Sequence, residues 1–235
     1  MALTWAEMKT EIRGGLGNRT DLNDRLEVIG NMAQDRIAAV EPWDDLHQTY
    51  EGTFTITATA ATDKKLALST VDATYDVKDI YSFRTILGDG SSNKLERKLT
   101  RQFDAEIPEP EYHARRKPQI YTRYQRILEV WPVPDLAYDW TIRASRWPIP
   151  FTSSGDSANS SLLHKDGMII ALSLAYAFDS LARAERATHW WRVYTRMLNE
   201  AVQDERESPD RVIKPADRSV VSGGEYWKDP FVRSV

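Results

Sequence analysis

A chain of 235 residues with 31 basic and 35 acidic side chains carries a formal charge of −4, which excludes the strongly basic footprint of a protein that wraps duplex DNA. Hydrophobic residues make up 41% and charged residues 28%, ordinary for a soluble globular protein, and the length suits one large domain or two small ones. The absence of cysteine rules out disulfides, thiolate metal sites and cysteine nucleophiles.

Met1-Ala2-Leu3-Thr4-Trp5-Ala6-Glu7 has no basic stretch followed by an apolar region, so no secretory signal is expected. Thr4-Trp5-Ala6-Glu7 has the form of a capping box, and Trp5, Met8, Ile12 and Leu16 follow at helical spacing until Gly14, Gly15 and Gly17 end the helix. A second helix is expected from near Asp21, with Leu22, Leu26, Ile29, Ala33, Ile37 and Val40 as its apolar stripe and Pro42 as its stop.

The pattern then changes to β. Residues 53–59 alternate threonine with apolar groups and read as a half-buried strand, and residues 76–87 read as another, followed by Gly88-Asp89-Gly90 turn chemistry. Residues 94–101 fit a strand or a short helix equally. Ile120–Tyr124 and Ile127–Trp131 read as a hairpin. Residues 138–145 alternate Tyr138, Trp140, Ile142 and Ala144 with polar groups. Together these make a small antiparallel β domain inserted between helices.

A loop rich in serine spans 151–161. Residues 162–184 then read as a helix apolar on more than one face, which belongs at the centre of a bundle. Its most apolar part, 168–178, falls far short of the roughly 20 residues of a membrane span, so no membrane partner is expected. Trp190, Tyr194, Met197 and Ala201 form a further stripe on a helix to about Glu207, ended by Ser208-Pro209. The last segment, 208–235, shows no sustained period. It nevertheless carries Val212, Ile213, Val220, Val221, Tyr226, Trp227 and Phe231, too apolar for a plain disordered tail, so it packs back on its own domain or docks on a partner, and its spaced apolar anchors suit strand addition to a sheet edge.

No enzyme constellation emerges. His47, His113, His164 and His189 do not pair at helical spacing, and no zinc motif is present. Gly14-Gly15-Leu16-Gly17 follows a helix, so it is a helix end and not a phosphate loop. No catalytic, metal or cofactor residues are assigned. The best candidate for contact with nucleic acid or protein is Arg115-Arg116-Lys117, with Arg123, Arg126, Tyr112, Tyr121 and Tyr124 near by. Tyr226, Trp227, Phe231, Val220 and Val221 are the candidate docking residues of the tail.

The step Glu129-Val130-Trp131-Pro132-Val133-Pro134, the following strand ending at Trp147-Pro148, and the order of elements over residues 3–207 resemble one family: the head-to-tail adaptor (connector) proteins of tailed bacteriophages, of the tail tubular protein A type. The resemblance implies an α+β fold. In it a four-helix bundle, built from two N-terminal and two long C-terminal helices, carries an inserted small antiparallel β domain and an extended C-terminal tail. The corresponding division is 1–48, 49–150, 151–207 and 208–235. It further implies a non-enzymatic virion protein at the neck. Its partners would be the portal, neighbouring copies in a ring of about twelve, a downstream tail or nozzle protein, and passing DNA in transient contact. The eight tryptophans motivate a second reading, a tail-associated module that stacks carbohydrate or contacts a receptor.

Overall fold

The structure is a computed structural model, and it describes residues 2–19, 21–57, 59–73, 76–86, 90–152 and 156–207. Helix α1 (Trp5–Gly15) starts on the capping box: the Thr4 hydroxyl accepts the Glu7 amide at 3.3 Å, and the Glu7 carboxylate accepts the Thr4 amide at 2.7 Å. Trp5, Met8 and Ile12 are buried at its spacing. Gly17 then takes φ +74, a conformation cheap only without a side chain. Helix α2 (Asn23–Val40) begins two residues later than Asp21 and buries Leu26, Ile29, Ala33 and Ile37. Val40, the last residue of the helix, departs from the expected stripe and is 44% exposed.

After a 3₁₀ turn at Asp44–Leu46, strand β1 (His47–Thr53) opens the β region. There follow α3 (Ala60–Asp63), β2 (Lys65–Ala67), α4 (Leu68–Val71), β3 (Val77–Ile86), β4 (Ser92–Lys94), β5 (Glu96–Arg97) and α5 (Thr100–Glu106). A second 3₁₀ turn (Pro110–Tyr112) leads to β6 (Ile120–Tyr124), β7 (Ile127–Trp131) and β8 (Asp139–Arg146). The strands form two four-stranded sheets, ordered β1-β8-β3-β4 and β2-β7-β6-β5. Phe83, Ile80, Trp140 and Ile142 from the first sheet are buried in one cluster with Leu66, Tyr121, Leu128 and Val130 from the second. The expected hairpin is β6–β7, paired from Ile120↔Trp131 to Tyr124↔Ile127. The proline step after it, where the Trp131–Pro132 peptide is cis, carries the chain from one sheet to the other.

Several expectations are corrected. The strand placed at 53–59 lies earlier, at His47–Thr53. The alternation past Thr53 is real, and Phe54 still donates to the Tyr138 carbonyl at 3.0 Å. Beyond it the buried Asp63 carboxylate takes the Thr57 amide and hydroxyl and draws the chain off the sheet. Residues 94–101 resolve into both alternatives, two short strands and then the start of α5. The β region is not wholly antiparallel, since β5 and β6 pair in parallel.

The helix expected at 162–184 is shorter. Helix α6 (Asp166–Ser180) is followed after three residues by α7 (Ala184–Glu207). Ala182 makes the break in the left-handed region at φ +54, and the Leu181 amide closes α6 by bonding to the Ala177 and Phe178 carbonyls. Helix α6 is the central helix, packed against α1, α2 and α7, and Met168, Ile169, Leu172, Leu174 and Phe178 are all buried. Gly15 lets α1 approach it closely, since a Cβ there would sit 2.8 Å from Leu174 Cδ2. Tyr194 of α7 is buried, with Trp190, Met197 and Ala201 half-buried against the same cluster.

The helical and β clusters meet at Lys78. Its ammonium donates to the Ala38 carbonyl at 2.6 Å and lies 5.5 Å from the Trp147 ring centroid. From the other sheet the Arg123 guanidinium donates to the Val77 and Lys78 carbonyls at 2.8 and 2.6 Å, so one column of polar contacts ties both sheets to α2.

Candidate interaction surfaces

The basic stretch is held in place by β-type backbone bonds to the proline step: the Arg116 amide donates to the Val133 carbonyl and the Gln119 amide to Trp131, both at 2.9 Å. Within it the three cations have different roles. Arg115 turns inward, and its guanidinium meets the Asp63 carboxylate at 2.7 Å and the Thr57 carbonyl at 3.2 Å. Arg116 is exposed and Lys117 half-buried. Arg123 serves the column described above, and Arg126 pairs with Asp76. The acidic groups upstream are also engaged: Glu111 with Lys64 at 2.7 Å, and Glu106 with Lys98. Of the interleaved tyrosines, Tyr112 is 81% and Tyr124 55% exposed, whereas Tyr121 is buried against Phe83. The outward face of this stretch is therefore Arg116 with Tyr112, beside Lys117.

The Asp63 side chain is fully buried. Burial pushes its carboxyl upward, but the Thr57 hydroxyl and amide and the Arg115 guanidinium outweigh this and hold it below the usual carboxylate range. A lowered native value means that the group stabilises the fold above about pH 4 and loses that contribution as pH falls through its native value. Asp63→Asn is expected to cost about 1.5–3 kcal/mol at neutral pH by weakening charged hydrogen bonds. The gap to the parent chain should close below about pH 4, as urea titrations at several pH values would show. A gap that stays constant with pH would contradict this role. The sequence held no local sign of this cluster, because its members stand at 57, 63 and 115.

A second surface is a groove of about 950 Å³ between α2 and the β region, lined by Met32, Asp35, Arg36, Arg126, Trp147 and Tyr176. Met32 is 51% exposed and Val28, one turn earlier, 59%, so α2 shows apolar groups outward as well as inward. Burial raises the Asp35 carboxyl above its ordinary value.

The tail residues Val220, Val221, Tyr226, Trp227 and Phe231 lie outside the described residues. His47 sits 3.2 Å from Asp44 and against Tyr81, His113 lies edge-on to Trp131, and His189 lies edge-on to Trp190. Among the described residues no group of three or more histidine or acidic side chains is placed to hold a metal, and no helix is long and apolar enough to cross a membrane. Of the described tryptophans, Trp5, Trp43 and Trp140 are buried and Trp131, Trp147, Trp190 and Trp191 half-buried.

The sequence model of the SU10 adaptor protein family matches residues 3–213, nearly the whole chain, and the chain belongs to that family, a bacteriophage adaptor of the virion neck. No curated protein matches it.

Proposed function

We propose that this adaptor assembles as a homo-oligomeric ring of about twelve copies beneath the portal, in the manner of the tail tubular protein A type. The ring extends the DNA channel, helps retain the packaged genome until ejection, and offers a platform for the next tail or nozzle protein. The observation that carries the reading is the family match across residues 3–213. Physical features agree with it. A net charge of −4 suits a channel that lets DNA slide without gripping it.

In this reading residues 1–48 and 151–207 supply the ring wall, and the insertion 49–150 faces the downstream tail component. Residues 208–235 carry the anchor, with Val220, Val221, Tyr226, Trp227 and Phe231 as docking groups. Arg116 and Lys117 meet a neighbouring copy or passing DNA, and Arg115 braces their segment through Asp63. Assembly takes place in the host cytoplasm. The carbohydrate-binding alternative is not favoured, since the family match carries the adaptor reading.

Sedimentation of the protein with the portal from the same genome tests the proposal. A complex heavier than the portal alone, retained at moderate salt, is expected. Two independently sedimenting species, with both proteins folded, would count against it.

A further inference from the structure

Among the described residues β1 is the long strand with an open edge. It pairs with β8 on one side only, and the other outer strands, β4, β2 and β5, have three, three and two residues against seven in β1. The Phe54-to-Tyr138 backbone bond sets the phase of the ladder. Bonded and non-bonded pairs alternate along an antiparallel pair, so Gln48, Tyr50 and Gly52 turn their backbone groups to β8 while Thr49 and Glu51 turn theirs away. The Trp147 amide, donated across to Asp76, gives the same phase from the far side of β8. Thr49 and Glu51 are both exposed. The strand has no proline or lysine to blunt its edge, and such an edge is a template for another strand.

The chain itself supplies the occupant. Helix α7 ends beside the start of β1, where the Glu205 carboxylate accepts the Asp44 amide at 2.7 Å. Ser208-Pro209-Asp210-Arg211-Val212-Ile213-Lys214 comes next and, extended, reaches about 23 Å, the length of a seven-residue strand. Val212 and Ile213 are β-branched and favour strands. Pro209 stands at the entry and Pro215 just after the exit, the positions a strand tolerates. The family match runs past α7 to residue 213, so this stretch belongs to the shared body and the aromatic groups lie beyond it.

We propose that residues 208–214 add to the free edge of β1 in the same chain as a parallel strand. The segment starts where α7 ends, at the Asp44 end of β1, and runs toward Thr53. The last twenty-odd residues then start from a fixed point at the far end of β1. The inference does not depend on the portal reading.

Amide exchange read by NMR on the full chain tests it. The Thr49 and Glu51 amides are expected to exchange slowly, with protection at least about tenfold above that of open backbone. One of any two consecutive strand residues faces the neighbouring strand, so the double variant Val212→Pro, Ile213→Pro removes a ladder donor in either register. In it, Thr49 and Glu51 should lose their protection while Tyr50 and Gly52, bonded to β8, keep theirs and report that the sheet is intact. Fast exchange at Thr49 and Glu51 in the parent chain would overturn the proposal, as would protection untouched by the double variant. Protection that disappears on dilution would also overturn it, because the edge would then be filled by a neighbouring copy.

Discussion

Trp5→Ala is expected to produce the largest loss of stability of any single truncation in the helical layer. Trp5 is fully buried, stacks on Phe151 with ring centroids 4.2 Å apart and planes 4° apart, and fills the hollow at Gly30. A Cβ on Gly30 would stand 2.5 Å from the indole, so that glycine permits the close approach of α2. Removing the ring leaves a cavity between α1, α2 and Phe151. The cost should be about 3–5 kcal/mol, or about 6–20 °C in melting midpoint for a chain of this size. Trp5→Phe keeps most of the contact and removes an indole N–H that has no partner, so it should cost less than the alanine change. A thermal scan separates the cases. A midpoint within about 2 °C of the parent for Trp5→Ala would show that the ring is not part of the core.

The largest functional effect is expected from the tail. Among the described residues both hydrophobic clusters draw on positions 3–202, so a chain ending at Glu207 should keep a cooperative thermal unfolding transition. It should lose portal binding. In the full chain, alanine at Tyr226, Trp227 or Phe231 should each weaken binding by about 2 kcal/mol, about 30-fold in Kd, if each fills a pocket on the partner. Because these variants keep residues 208–214, they separate the anchor from the strand proposed on β1. Titration by interferometry reads both. Parent-like Kd values for the shortened chain would remove the tail from the interface.

Local chemistry was the part legible in the sequence. The Thr4–Glu7 cap, the α1 stripe, the β6–β7 hairpin and the alternation of β8 all depend on residues within one turn or one strand of each other, and the structure places them as expected. The inward character of α6 was legible for the same reason. What was not legible depended on distance in sequence. The Asp63 carboxylate ends β1 by capturing Thr57, and its charge is answered by Arg115, 52 residues on. The α6–α7 break uses alanine at positive φ, where no glycine or proline marked it. The proline step after Trp131 was visible as a corner, but only the pairing of β7 with β6 and of β8 with β1 and β3 shows that it joins two sheets. The candidate surfaces follow the same rule. A run of three basic residues is visible in any sequence, whereas the inward turn of Arg115 needed a partner from α3.

The central claim is that this adaptor works as a ring seated on the portal. Negative-stain electron microscopy of the protein with its cognate portal, beside each alone, tests it most directly. The account predicts a second ring stacked coaxially on the portal, with about twelve subunits in end views. Portal particles indistinguishable from those alone, across several salt conditions and with folded adaptor present, would contradict it.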